Sequence, residues 1–285
     1  MSPARRSGSG LWVAILGVLL LAGGAGILLA SPRHRALYFG EPPAAAAPAS
    51  SPSPMVAAVG GGQVPYVDAS GRLRVRIADR EPARLPAEGV PMGWMLKEFV
   101  GHSAIELVRS EGRLAARLRS ERASFALHRD VVVDLREFPY LSWTWKATKL
   151  PAGGDVREAA RDDEAAQVYV IFPRWPAPRT ASDVLGYVWD SRAPVGTQLK
   201  SPRAANVRIV VVESGSARLN EWLTYERNVA ADYVALFRRQ PPRVGKLAVM
   251  VDSNDTRGEA EALFGDLVFA RTRQGSVEIP TPVLR

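Results

Sequence analysis

Tyr140-Leu141-Ser142-Trp143-Thr144-Trp145-Lys146-Ala147 sets apolar Leu141, Trp143, Trp145 and Ala147 against polar Ser142, Thr144 and Lys146 in strict alternation. Successive side chains on a strand point to opposite faces, so a period of two predicts a strand buried on one face and wetted on the other. Both sides of this stretch read the same way. Runs rich in β-branched and aromatic residues occur at Phe125–Leu135, Gln167–Phe172, Val184–Trp189, Val207–Val212, Leu247–Val251 and Leu263–Phe269. Turn signals separate most of them, at Pro151–Asp155, Ala193-Pro194, Glu213–Ser216, Pro241-Pro242 and Ser253–Gly258, and Arg129-Asp130 adds one inside the first run. Short strands at this spacing predict an all-β sandwich or barrel.

One helix is expected, over Asn228–Arg239. Ala231, Val234, Ala235, Leu236 and Phe237 give it an apolar face, Asn228 reads as its N-cap, and Arg238-Arg239 sit near the cation-favouring end. Upstream, Leu73, Val75 and Ile77 alternate with arginines in a lead-in broken by Pro82, Pro86 and Pro91. This reads as an edge strand or an amphipathic β-arm, in a lead-in that packs on the domain.

The N-terminus has a different character. Leu11 to Ala30 is an uncharged apolar run, flanked by Arg5-Arg6 and by Arg33-His34-Arg35. At about 1.5 Å per residue it just spans a hydrocarbon core of about 30 Å. A transmembrane helix is the expectation, with a cleavable signal segment as the rival reading, for which Ala30 suits the −1 position and Leu28 is poor at −3. Pro42-Pro43, Pro48, Pro52 and Pro54 among Ala and Ser then form an extended spacer that cannot build a core. The expected organisation is anchor or signal over 1–35, linker over 36–63 and folded domain over 64–285. The expected location is single-pass in a bacterial inner membrane, with the folded domain in the periplasm or otherwise outside the cytoplasm.

The chain has no cysteine, so disulfides, lipidation at cysteine, Cys nucleophiles and Cys-based metal sites are excluded. Its formal net charge is +8, from 37 Lys and Arg against 29 Asp and Glu. The excess is scattered without interleaved aromatics, which argues against a nucleic-acid partner. No phosphate loop, dinucleotide fingerprint, zinc motif or Gly-x-Ser-x-Gly elbow is present.

From Trp94 to Arg271 the chain resembles the Domain of Unknown Function 3047 family of bacterial, mostly exported proteins. The resemblance is carried by Pro139–Lys146, Leu150-Pro151 with Gly153-Gly154-Asp155, Asp162–Phe172, Gly186-Tyr187-Val188-Trp189, Tyr225–Val229 with Asp232-Tyr233, and Asp252–Thr256. It implies a jelly-roll-like β-sandwich similar to carbohydrate-binding modules, and it implies no catalytic residues.

On such a scaffold, rings along a curved sheet stack on sugars while polar neighbours bind hydroxyls. Trp143 and Trp145 share the face that reads as core. Trp145 is nonetheless retained with Tyr187 and Trp189 as a ring able to line a groove, and Asp163, Glu226, Arg227 and Asp252 are the polar contacts expected beside them. Arg227 is also placed to lock two loops by pairing with Asp163. Asp252, Asn254 and Asp255 offer oxygen ligands for a structural Ca²⁺, although the twelfth position from Asp252 is Leu263 rather than the Glu of an EF-hand. The rival reading is that they cap a turn. No other cofactor is expected. These readings lead to non-catalytic binding of a glycan or envelope polymer. Partner docking in envelope assembly is the alternative, and a hydrolase using carboxylates from Asp163, Glu226 and Asp252 ranks last.

Overall fold

The computed structural model describes residues 67–174 and 182–273; the expected anchor and spacer lie outside them. Among the described residues, fourteen strands make two seven-stranded sheets, accompanied by one helix. Sheet one holds β1 (Arg72–Val75), β2 (Ala87–Glu88), β4 (Ala104–Ser110), β5 (Arg113–Glu121), β7 (Tyr140–Lys149), β12 (Leu223–Asn228) and β14 (Glu259–Ala270). Its order is β12-β7-β14-β5-β4-β2, with β1 also paired to β14. Sheet two holds β3 (Met95–Val100), β6 (Ser124–Val133), β8 (Ala166–Phe172), β9 (Asp183–Asp190), β10 (Gln198–Lys200), β11 (Val207–Ser214) and β13 (Val244–Asp252), in the order β10-β11-β9-β8-β13-β6-β3. Pairing is antiparallel except between β9 and β11.

The alternation in β7 comes out as expected. Leu141, Trp143, Trp145 and Ala147 face sheet two, whereas Ser142, Thr144 and Lys146 face outward. Trp143 stacks on Tyr187 across the sheets at 5.1 Å between ring centroids, and Trp145 meets Trp189 at 6.4 Å. Tyr225 and Phe264 complete this aromatic core from sheet one. Each buried ring contributes on the order of 2–3 kcal/mol by leaving water. A cysteine-free sandwich therefore holds its two layers together by ring packing.

β9 and β11 read as near-continuous apolar runs because both of their faces are covered. Val188, Ile209 and Val211 point away from the main core and pack under Val156 and Ala193. The helix, α1 (Val229–Phe237), starts as expected, with the Asn228 side chain accepting from the Ala231 N–H. It ends earlier than expected, at a left-handed Arg238. Arg239 turns back to pair with Asp183 at 2.5 Å instead of serving the last turn. The Arg129-Asp130 turn signal is overturned, since β6 runs straight through both residues. Arg129 is buried there against Asp79 at 2.6 Å, and so ties the lead-in to sheet two.

Candidate functional site

The three rings expected to stack on a ligand are core residues. Trp145, Tyr187 and Trp189 have no exposure, so none can meet a sugar. The physical reason is that β9 is covered on both faces, which leaves no wet side for either of its rings. Arg227 does not pair with Asp163. It grips Asp232, in the first turn of α1, through two hydrogen bonds of 2.9 and 2.6 Å, and the Tyr187 hydroxyl donates to the same carboxylate at 2.8 Å. This buried triad fixes α1 to both sheets. Glu226 is buried on β12, with Arg273 3.7 Å from its carboxylate.

Asp163 and Asp252 are brought together, at the end of the sandwich where β13 runs into the Ser253–Gly258 turn. Asp163 accepts from the Asp255 and Thr256 N–H groups at 3.0 and 2.6 Å. Asp252 accepts from the Ser124 hydroxyl at 2.8 Å and from the Asn254 N–H at 3.3 Å. Burial pushes the Asp252 carboxyl up to about 8, with the Asp163 charge adding to the rise against the Ser124 bond. Nearby, burial raises Asp162 to about 6 against the pull of Arg203, and it lifts the fully buried Glu164 well above the carboxylate range. Both carboxyls are committed to donors of the Ser253–Gly258 turn and of β6, which leaves neither free to face a substrate. The geometry describes a carboxyl clasp that closes a turn.

The Ca²⁺ expectation fails on its donors. The Asn254 amide donates to Asp255 Oδ1 at 2.8 Å, Arg203 holds Asp255 Oδ2 at 2.5 Å, and Asp252 is committed to Ser124 and the turn. Among the described residues no group of three or more His, Asp or Glu is placed to hold a metal ion. These side chains cap the turn, as the rival reading held.

A cavity of about 440 Å³ lies instead on the outer face of sheet one. Its floor is Ser142 and Thr144 of β7, Thr224 of β12, and Gly265, Asp266 and Val268 of β14. One wall is Arg74, Arg76, Ala78, Asp79 and Glu81 of the lead-in; the other is Arg113 and Leu114 at the start of β5. The cavity exists because β14 changes partner along its length. Residues 259–264 pair with β5 and residues 267–270 pair with β1, so the two neighbours diverge like a fork. A bulge marks the change: Gly265 and Asp266 together oppose Thr144. A Cβ at Gly265 would lie 2.3 Å from Thr144 Oγ1, so only glycine lets the strands approach here. The bulge turns Asp266 outward, where its carboxylate accepts from the Ile77 N–H at 2.9 Å and pairs with Arg74 at 3.2 Å. The lead-in wall is thereby pinned to the floor. Trp222, just before β12, lies half-buried on Val108, Ala115 and Leu263, and the Arg113 guanidinium sits 5.7 Å from its ring centroid.

Residues 92–268 match the family described as "Protein of unknown function (DUF3047)". The chain belongs to the DUF3047 family. No curated protein matches it. Solved structures with similar architecture include the family 11 carbohydrate-binding module of a Clostridium thermocellum cellulosomal cellulase, at 9% identity over 70% of this chain and 95% of that one, with a TM-score of 0.37. The xyloglucanase domain of NopAA from Sinorhizobium fredii is 11% identical over 66% and 96% of the two chains, with a TM-score of 0.36. A cellulase derived from Cel12A of Rhodothermus marinus is 12% identical over 58% and 85%, also at 0.36. These are distant likenesses. The DUF3047 match begins beyond the lead-in wall, so the floor and the β5 wall lie in the family region while Arg74, Arg76, Ala78, Asp79 and Glu81 lie before it.

Proposed function

We propose that this DUF3047 protein is a tethered, exported domain that binds a glycan or cell-envelope polymer without cleaving it, using the groove on the outer face of sheet one. The observation that carries this reading is the groove's composition. The hydroxyls of Ser142, Thr144 and Thr224 share one cavity with guanidinium groups, and Trp222 lies beside it under Arg113. Hydroxyl and guanidinium groups match the hydroxyls and charges of a sugar chain, and the Trp222 ring backs the Arg113 wall. Tethering rests on the apolar run Leu11–Ala30 and the spacer behind it, which would hold the domain at a distance from an inner membrane. Non-catalytic action is supported by the fate of the carboxylates, since Asp163 and Asp252 are committed to donors around one turn and Glu226 is buried beside Arg273. The test is a binding screen of the full-length chain against a glycan panel that includes peptidoglycan fragments, read by calorimetry. Thr144→Val and Thr224→Val should abolish any binding while the melting transition persists. Binding that survives both variants would remove the groove from the reading.

One observation favours a second reading, docking of an envelope protein. β3 is the edge of sheet two, and Met95, Phe99 and Val100 on it are 44, 56 and 47% exposed. An apolar open edge can accept an added strand.

A further inference from the structure

We infer that the occupant of the groove is anionic, an acidic glycan chain whose charged groups are read by Arg76 and Arg113. This deepens the binding proposal above and rests on it. The inference comes from accounting for every charge that lines the cavity. Its three carboxylates are each already neutralised: Asp266 by Arg74, Glu81 by Arg109, and Asp79 by Arg129. That leaves Arg76 on the lead-in wall and Arg113 on the β5 wall, both exposed, and neither has an ion-pair partner among the described residues. A site for a neutral sugar has no need of uncompensated guanidinium groups on two of its walls, whereas a polymer carrying carboxylate or phosphate does.

Both arginines are also held in place. The Arg76 carbonyl accepts from Trp94 Nε1 at 3.0 Å, which fixes the backbone from which its side chain leaves. Asp266 anchors the next residue through the Ile77 N–H. Arg113 is steadied over the Trp222 ring. A guanidinium held by its surroundings loses less freedom when it meets an anion, and its planar fork matches both carboxylate and phosphate. The hydroxyls of Ser142, Thr144 and Thr224 then face the uncharged part of each sugar unit.

The test uses the full-length chain and three oligosaccharides of equal length: one neutral, one bearing uronic acids, one bearing phosphodiesters. The acidic chains should bind at least tenfold more tightly than the neutral one, and 0.5 M salt should remove most of that advantage. Which acidic chain binds better distinguishes carboxylate from phosphate as the source of the charge. Arg76→Gln and Arg113→Gln should each weaken acidic binding about tenfold and neutral binding by much less, with Arg113→Lys recovering part of the loss. Melting temperatures should stay at the wild-type value, since neither residue holds an ion pair. Equal affinity for neutral and acidic chains, or variants that weaken both alike, would overturn the anionic assignment and leave the groove standing as a neutral-glycan site. No binding of any chain would overturn both proposals.

Discussion

Replacing Asp252 with Asn should make this protein more stable at neutral and alkaline pH. In the folded chain Asp252 protonates at about 8, against 3.8 for an ordinary aspartate, chiefly because it is buried and secondly because it faces Asp163. Folded protein thus holds a proton that unfolded protein has already released, all the way from about pH 4 to about pH 8. The stabilisation is complete below the unfolded value and is lost as pH rises through the folded one. A shift from 3.8 to about 8 spans about four units. At about 1.4 kcal/mol per unit, the stability lost to this one proton between about pH 4 and about pH 8 is on the order of 5 kcal/mol. Asn mimics the protonated acid. Its carbonyl can accept from the Ser124 hydroxyl as the carboxyl does, so the bond to β6 survives without the titration. Asp162 and Glu164 are raised by the same burial, so a residual slope of the same sign should remain in the variant. The assay is urea denaturation of both proteins at half-unit steps from pH 5 to 8.5. Wild type should lose stability with rising pH, Asp252→Asn should lose less by about one proton's worth, and the curves should diverge most near pH 8. Parallel curves, or a wild type more stable at pH 8 than at pH 5, would refute the reading that buried Asp252 holds a proton.

Two substitutions probe the rest of the architecture. Gly265→Ala should destabilise the fold by about 1–3 kcal/mol and weaken glycan binding, because its Cβ would meet Thr144 Oγ1. Adding Thr144→Ala should recover stability more than additively, which a double-mutant cycle would read. Arg227→Ala should cost about 3–5 kcal/mol in denaturation, since it leaves Asp232 buried without its guanidinium; a loss below about 1 kcal/mol would mean the triad does not hold α1 in place.

The layered fold was legible because local periodicity reports it directly. Ser142, Thr144 and Lys146 announced the outer face of β7, and Asn228 announced the start of α1. The misplacement of Tyr187 and Trp189 has a definite cause. A period of two says which residues share a face, not which face is wet. The positions alternating with these rings, Gly186 and Val188, are themselves non-polar, which is the mark of a strand covered on both sides. That sign was present in the sequence and argued for core. Arg227 pairs not with a distant loop but with a partner five residues along the chain, where the turn from β12 into α1 folds Asp232 back onto it.

The groove is a different matter, because no stretch of sequence encodes it alone. It arises where β14 leaves β5 for β1, a change of partner between segments that lie nearly two hundred residues apart in the chain. Gly265-Asp266 supplies the bulge, but a Gly-Asp step inside an apolar strand signals only that something approaches closely or that a ladder shifts. The arginines of the lead-in looked like the solvated face of an edge strand, and in part they are: Arg74 serves Asp266. What distinguishes Arg76 is that the neighbouring carboxylates are already taken, a fact that belongs to the assembled cavity rather than to any residue in it. Strand periodicity predicts layers well because each strand must bury its own face. It predicts sites poorly because a site is defined by what the packed neighbours leave uncompensated.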